Sequence, residues 1–235
     1  MLQQTIMGYV QQLVAWWGYV VPTAGLVWEY LLDWNANDTS PTGNNWTATN
    51  ITRTTVWSVD VAEYASASSK ITIPYNAAVN FNPSSDDYAF SFYLKNDDLT
   101  RPTYYLLDSP DGSSAAGLSM YMDSWNDWVR AGIYTWSTWY LWTNDTLVES
   151  QLYHITVNVE WWVEFTVYFD NVLVETVSLS WIPSFTSNKW FLLGNNSSNI
   201  RSLDWQIALF RIYDQLLTSD NRENLRLEWV ALLWL

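Results

Sequence analysis

The chain has no cysteine, a single histidine and only eight glycines in 235 residues. The first absence excludes disulfides, thiol chemistry and Cys-ligated zinc. The lone His154 excludes multi-histidine metal sites and argues against a His-based triad. Cations are scarce too: ten Lys plus Arg against twenty-four Asp plus Glu give a formal charge of −14. Nucleic acid needs clustered cations to displace its counterions, and an anionic membrane surface makes a similar demand, so neither is an expected partner. Acidity of this kind serves solubility or an acidic calcium-binding surface. The first charged residue is Glu29. The apolar run before it is broken by Gln3, Gln4, Thr5, Gln11, Gln12, Pro22 and Thr23 and has no basic start. No standard signal peptide and no membrane span are therefore expected there. Trp229–Leu235 is apolar but too short to cross a bilayer.

What is present in excess is tryptophan, eighteen copies. Many sit in polar, turn-like clusters: Asp33-Trp34-Asn35, Asn45-Trp46-Thr47, Ser124-Trp125-Asn126, Asp127-Trp128, Thr135-Trp136-Ser137 and Asp204-Trp205-Gln206. Turns of that composition often need φ > 0, which glycine adopts without steric cost and a bulky aromatic does not. Two readings follow. Either the chain carries a set of exposed aromatic platforms, or its gene uses an alternative genetic code in which UGA means glycine.

From Gly25 onward, short alternating strands are separated by Asn, Asp, Ser, Thr and Pro clusters. The pattern gives strands over 26–32, 70–73, 88–95, 103–107, 118–122, 129–134, 153–159, 163–169, 172–179, 191–193 and 206–213. Asp170-Asn171 between two of them reads as a two-residue hairpin turn. About a dozen strands at this spacing imply an all-β, two-sheet antiparallel jelly-roll sandwich. A short C-terminal helix is expected over Thr218–Glu228, capped by Thr218 or Ser219. A second is expected over Thr5–Trp16. The simplest division is an N-terminal attachment arm, 1–24, followed by one domain, 25–235.

Four segments, in order, resemble the laminin-G-like, concanavalin A-like jelly rolls of extracellular and phage structural proteins. Residues 25–40, reading Gly-Leu-Val-Trp-Glu-Tyr-Leu-Leu-Asp-Trp-Asn-Ala-Asn-Asp-Thr-Ser, resemble the opening strand and its Asx-rich turn. Tyr88–Lys95 resembles a central strand. Leu152–Val157 with Phe165–Val174 resembles the strand and Asp-Gly hairpin that follow. Leu203–Tyr213 and Leu217-Thr218-Ser219 resemble the closing strand and helix. The resemblance implies glycine at Trp34, Trp46 and Trp205, and also at Trp28, Trp57, Trp161, Trp162 and Trp181. It implies fold rather than function. Related jelly rolls bind sugars and often hold a structural calcium.

Several candidate sites follow. The region 123–142 offers Asp123, Trp125, Asn126, Asp127, Trp128 and Arg130, with Trp136 and Trp139, as a glycan platform of polar groups and stacking rings. Its plainer reading is a set of inter-strand turns. Asp33, Asn35 and Asp38, with Asn37 between them, place oxygen ligands at calcium-loop spacing, or else form an Asx-rich turn. No cofactor beyond that calcium is expected. Glu160 and Glu164 flank Trp161-Trp162-Val163, which reads as a hairpin turn, and no glucanase-type Glu-x-Asp-x-x-Glu occurs. His154 reads as a satisfied structural histidine. The Asn-x-Thr triplets at Asn37, Asn45, Asn50 and Asn144 are accounted for by composition. The expected protein is a non-enzymatic surface or virion module that binds a glycan or a surface receptor. The first alternative is a purely structural or decoration protein, and the second a glycoside hydrolase. In either case the arm 1–24 is expected to self-associate or dock to a larger assembly on a virion or extracellular surface.

Overall fold

A computed structural model describes residues 20–31, 37–56, 59–66, 68–74, 86–96, 104–108, 117–123, 128–135, 138–146, 148, 150–160, 163–178, 191–195 and 205–233. The helix expected over Thr5–Trp16, and Trp34, Trp57, Trp161, Trp162 and Trp181, lie outside them. The described strands form two antiparallel sheets. One is eight-stranded: β13 (Val172–Ser178), β12 (Glu164–Phe169), β11 (Leu152–Glu160), β6 (Tyr88–Asn96), β15 (Trp205–Tyr213), β4 (Val59–Glu63) and β3 (Thr52–Val56), with β1 (Leu26–Tyr30) also on β15. The other is seven-stranded: β10 (Thr138–Thr146), β9 (Trp128–Thr135), β8 (Gly117–Asp123), β7 (Tyr104–Asp108), β14 (Phe191–Leu193), β5 (Lys70–Ile73) and β2 (Thr47–Thr49). One helix, α1 (Ser219–Leu233), follows the last strand.

Alternation along the strands builds the core between the sheets. Phe90, Phe92 and Leu94 of β6, Ile155, Val157 and Val159 of β11, and Phe165, Val167 and Phe169 of β12 all enter one buried cluster. Ile71, Ile73 and Leu193 join it from the seven-stranded sheet. Trp28, Tyr30, Trp46 and Tyr64 fill the same cluster, so rings occupy volume that aliphatic side chains fill in most cores. Trp28 and Trp46 are 1% and 3% exposed, and neither has a positive φ. At these two positions the structure holds packed indoles, not turns that demand glycine.

β11 is buried on both faces apart from its end residues. The reason is α1, which covers the outer face of the eight-stranded sheet. Thr218 caps the helix as expected: its hydroxyl accepts the Asn221 N–H at 3.2 Å. The Asn158 amide both donates to the Leu217 carbonyl and accepts its N–H, at 2.9 and 3.0 Å. Tyr93 donates its hydroxyl to the Leu225 carbonyl, and the Arg222 guanidinium lies 3.6 Å above the Tyr168 ring.

Two backbone devices shape this sheet. Asp170 and Asn171, at φ 49° and 65°, make the expected two-residue turn between Phe169 and Val172. Leu209, at φ 49°, sits where β15 slips against β6 between Ala208 and Arg211. This bulge puts Ala208 and Leu209 together in a small cluster with Val56, Val61 and Tyr93 before Phe210 returns to the main core. The described end of the arm is already docked: Val21 packs against the cluster of Leu26, Ala89, Tyr213, Leu217 and Leu225, and Tyr213 donates to the Pro22 carbonyl at 3.2 Å.

Candidate functional site

Three places carry enough polar chemistry to be weighed. The first is the loop after β1. Asp38 is buried there, with three backbone N–H donors on its carboxylate and two hydroxyls, shared with the Val27 carbonyl, within reach of it. The backbone N–H groups of Glu29 and Ser40 donate to Oδ1, both at 2.9 Å. The Asn44 N–H donates to Oδ2 at 2.8 Å. The Ser40 and Thr42 hydroxyls reach Oδ2 at 2.9 and 2.8 Å. Nearby, Tyr30 donates to the Asn44 carbonyl. Burial, then the charge of Asp38, hold the Tyr30 phenol well above its usual pKa. Asp38 thus organises the loop that carries Trp46 into the core. A calcium ion would have to displace donors already in place. Asp33 and Asn35, its expected co-ligands, lie outside the described residues, among which no three His, Asp or Glu side chains converge.

The second place is the sheet face beneath α1. Arg211 is fully buried between two carboxylates. Its Nη1 and Nη2 donate to Glu228 at 2.6 and 2.9 Å, and its Nε donates to Glu29 at 2.8 Å. Burial alone would favour losing the charge. Glu228 and then Glu29 outweigh it and hold the guanidinium well above its usual pKa. Burial also opposes ionisation of Glu29, but Arg211 and the Thr39 hydroxyl keep that carboxyl below its ordinary value. His154 shares this face, its Nε2 2.9 Å from the Ser91 hydroxyl and its ring 4.9 Å from Tyr93. Burial first, then the charges of Arg211 and Arg226, lower its pKa to about 3. The histidine is buried and neutral under the helix, but it is not the satisfied residue the sequence implied, because its Nδ1 has no hydrogen-bond partner among the described residues. The whole face is closed to ligands.

The third place is the meander β8–β9–β10, where the sequence suggested a loop region over 123–142. The backbone there is mostly strand. Only 124–127 and 136–137 connect strands, and Trp125, Asn126, Asp127 and Trp136 fall in these stretches, outside the described residues. Asp123 pairs with Trp128 at the mouth of the first connection. Arg130 pairs with Tyr121 on one side and Thr143 on the other. Tyr134 pairs with Gly117 and Trp139, and Gly132 with Ser119 and Leu141. Directly opposed residues share a face, and alternate residues of a strand do too. Asp123, Tyr121, Trp128, Arg130, Tyr134, Trp139 and Thr143 therefore belong to one face of the meander.

Register also tells which face of the sheet this is. Ile71 pairs with Leu193, Leu193 with Leu107, Leu107 with Met120, and Met120 with Ala131. Ile71 and Leu193 belong to the main core, so Met120 and Ala131, with Leu118, Met122, Val129 and Ile133, fall on the core face. The polar and aromatic set falls on the opposite, outer face. The sequence named Asp123, Trp128 and Arg130, and the register brings them together. It missed Tyr121, Tyr134 and Thr143, because β10 was read as loop and the pairing could not be drawn. Period-2 alternation over 117–134 was the signal that could have found the first two.

A laminin-G-type family model, described as the Concanavalin A-like lectin/glucanases superfamily, matches residues 65–221, and the chain belongs to this family. No curated protein sequence matches it. Among solved structures, it is similar to the receptor binding domain of botulinum neurotoxin C/D mosaic serotype, with TM-score 0.74 and 14% identity, over 87% of this chain and 51% of that one. The botulinum neurotoxin serotype D ligand binding domain in complex with N-acetylneuraminic acid gives TM-score 0.71 and 13% identity, over 87% and 51%. The binding domain of Paraclostridial Mosquitocidal Protein 1 gives 0.69 and 15%, over 86% and 52%. The chain spans about half the length of each, and at these identities the likeness is one of fold.

Proposed function

We propose that the chain is a non-catalytic recognition module that binds a glycan on the outer face of the seven-stranded sheet, at Asp123, Trp128 and Arg130. The observation that carries this is the register of β8, β9 and β10, which places Asp123, Tyr121, Trp128, Arg130, Tyr134, Trp139 and Thr143 on one face, with Leu141 among them, and leaves Tyr140 and Trp142 on the core face. Rings that stack on sugar C–H faces, set among polar groups that bond hydroxyls, suit a carbohydrate. The solved structures it resembles are themselves binding domains, one of them in complex with a sugar acid, which supports the same reading.

Hydrolysis is poorly served. Glu160 and Glu164 do oppose one another, but across the mouth of the β11–β12 hairpin, on the other sheet. A retaining or inverting pair must flank the sugar it cleaves, and these residues do not share the proposed face. The setting we infer is a virion or extracellular surface, with the part of the arm before Val21 as the docking segment, since Val21, Pro22 and Ala24 are held by the chain's own domain. A glycan array probed with the full chain tests the binding reading. Retained glycans, with signal lost at least tenfold in Trp128→Ala and Arg130→Ala of unchanged Tm, are the expected result. An array blank for the wild-type chain refutes it.

A further inference from the structure

Independently of what the seven-stranded sheet binds, we propose that α1 is an acid-released latch: uptake of a proton by His154 frees the helix from the eight-stranded sheet while the sandwich beneath stays folded. The first argument is where the histidine sits. Tyr93 pairs with His154, Ser91 with Thr156 and Arg211 with Ser91, so these residues share the sheet's outer face under α1. His154 is 2% exposed. Its Nε2 meets the Ser91 hydroxyl, and its Nδ1 has no hydrogen-bond partner among the described residues. An imidazolium donates from both nitrogens. In the closed form one of those donors is sealed from water with nothing to accept it, which costs the full desolvation of the group.

The second argument is charge. Tyr93 of β6 lies against the ring, and Arg211 of β15 and Arg222, Glu223 and Arg226 of α1 act on it through their charges. Asp170, in the β12–β13 turn, accepts the His154 backbone N–H. Behind these stand Glu29 and Glu228 on Arg211, and Tyr168 under Arg222. Glu223 is engaged with Arg226 and Asn171. A new cation would stand among three guanidiniums while these four carboxylates are already taken. Burial first, then Arg211 and Arg226, hold the ring's pKa at about 3, and a ring released into water returns to its ordinary 6.5.

The third argument is layering. Among the described residues, the main core between the sheets contains none from α1. Only Leu225 and Ala231 enter the smaller clusters outside it. The rest of the helix's hold is polar: Tyr93 on the Leu225 carbonyl, Arg211 on Glu228, and Asn171 on Glu223. A layer attached in this way opens at lower free energy than the sandwich it covers. The closed helix refuses a proton that the open one binds. Closure is therefore fully favoured above about pH 6.5 and is lost as pH falls towards 3, the opening constant rising about tenfold per unit.

The test is hydrogen exchange of the full chain read by mass spectrometry at pH 7.5 and 5.5, with rates corrected for intrinsic exchange. Ordinary carboxylates stay charged across this window. Protection of α1 is expected to fall about tenfold between the two pH values, and to lie at least about a hundredfold below that of β6 and β11 at both. His154→Gln, and equally His154→Asn, should reduce the fall to under about twofold, while Thr156→Val on the same face should keep it. Retained protection of β6 and β11 at pH 7.5 shows that each variant is folded. Equal protection of α1 and the two strands overturns the latch, because helix and sandwich then open together. A fall that survives both His154 variants but disappears in Asp170→Asn gives the switch to Asp170 and overturns the role of His154. An α1 whose protection is the same at both pH values overturns the proposal whole.

Discussion

Replacing Glu228 by glutamine should destabilise the domain more than any other single change in its charged groups. Glutamine keeps the shape but removes the charge that faces Nη1 and Nη2 of Arg211. Arg211 is 1% exposed, so water cannot take the place of the lost carboxylate. Breaking a buried pair in this way leaves an uncompensated charge and costs about 3–5 kcal/mol. Glu29→Gln should cost less, about 1–3 kcal/mol, because Glu29 makes one bond to Arg211 and is more accessible, at 16%. For a chain of this length, at about 2–4 °C per kcal/mol, the Glu228 change lowers Tm by roughly 10 °C. Urea unfolding followed by tryptophan fluorescence reads both variants, through a fall in midpoint at constant slope. The triple change Glu29→Gln, Arg211→Met, Glu228→Leu should recover most of the loss, since an apolar replacement leaves no stranded charge. If Glu228→Gln costs under about 1 kcal/mol while the triple change costs more, the burial argument is wrong and the ions act through ordinary packing.

His154 makes stability depend on pH. Its folded pKa of about 3 lies below the ordinary 6.5, so the unfolded chain binds a proton that the folded chain refuses. Stability therefore falls as pH drops from 6.5 towards 3, by up to about 1.4 kcal/mol per unit. Glu29, whose folded pKa is also lowered, adds a loss of the same sign at the acidic end of that window. Denaturant midpoints at pH 6.5, 5.5 and 4.5 measure the slope, His154→Gln should flatten it, and equal wild-type midpoints would refute the assignment. Asp38→Ala leaves three backbone N–H groups without their acceptor and should cost about 2–4 kcal/mol. EDTA should not move the wild-type Tm, and a calcium-dependent rise in Tm that vanishes in Asp38→Asn would instead make Asp38 a metal ligand. Gly194 has φ 81°, and an added Cβ would stand 2.0 Å from the Tyr64 ring. Gly194→Ala should thus cost above about 2 kcal/mol by thermal melt, and a neutral result would show that Tyr64 is free to move.

The sandwich was legible where strands alternate. Tyr88–Lys95, Tyr153–Val159 and Phe165–Phe169 put apolar residues at every second position, and each is a strand of the core. Four strands were missed: β2, β3, β4 and β10, and of these β4 buries Val61 and Ala62 but its short Val-Asp-Val-Ala-Glu run gave too weak a signal. Thr-Ala-Thr of β2 and Thr-Arg-Thr-Thr of β3 lie at sheet edges, where polar residues are tolerated and discourage stray pairing. β10 was missed because Trp139-Tyr140-Leu141-Trp142 does not alternate in polarity, and only the partner strand reveals which residues share a face. The same reason limits what the sequence says of the site. Asp123, Trp128 and Arg130 stand out as residue types, but their grouping with Tyr134 and Trp139 is a property of register, which no single strand contains. The Arg211–Glu228 pair was not anticipated, since one partner sits in a strand and the other on a helix that packs across it.

The scarcity of glycine is answered in the fold by other residues. Among the described residues, besides Gly25, Gly43 and Gly194, positive φ falls on Asn50, Ser150, Asp170, Asn171 and Leu209. Asn and Asp tolerate the left-handed region because their short side chains bond nearby backbone. The Asp170 carboxylate does so, accepting the His154 N–H at 3.0 Å. Asn171 spans further, donating to Glu223 and accepting from Arg222, so this turn also fastens the hairpin to α1. Glycine at 171 would ease the backbone and cut that link, which is why a residue with a penalty of its own can still suit the position. Leu209 gains nothing of this kind. It holds a strained conformation because the bulge at β15 buries its side chain with Val56 and Val61, and burying a leucine contributes about 1.5–3 kcal/mol, more than a left-handed residue costs. A chain with few glycines can therefore still turn where the sandwich requires it, provided each strained residue meets a partner that outweighs the strain.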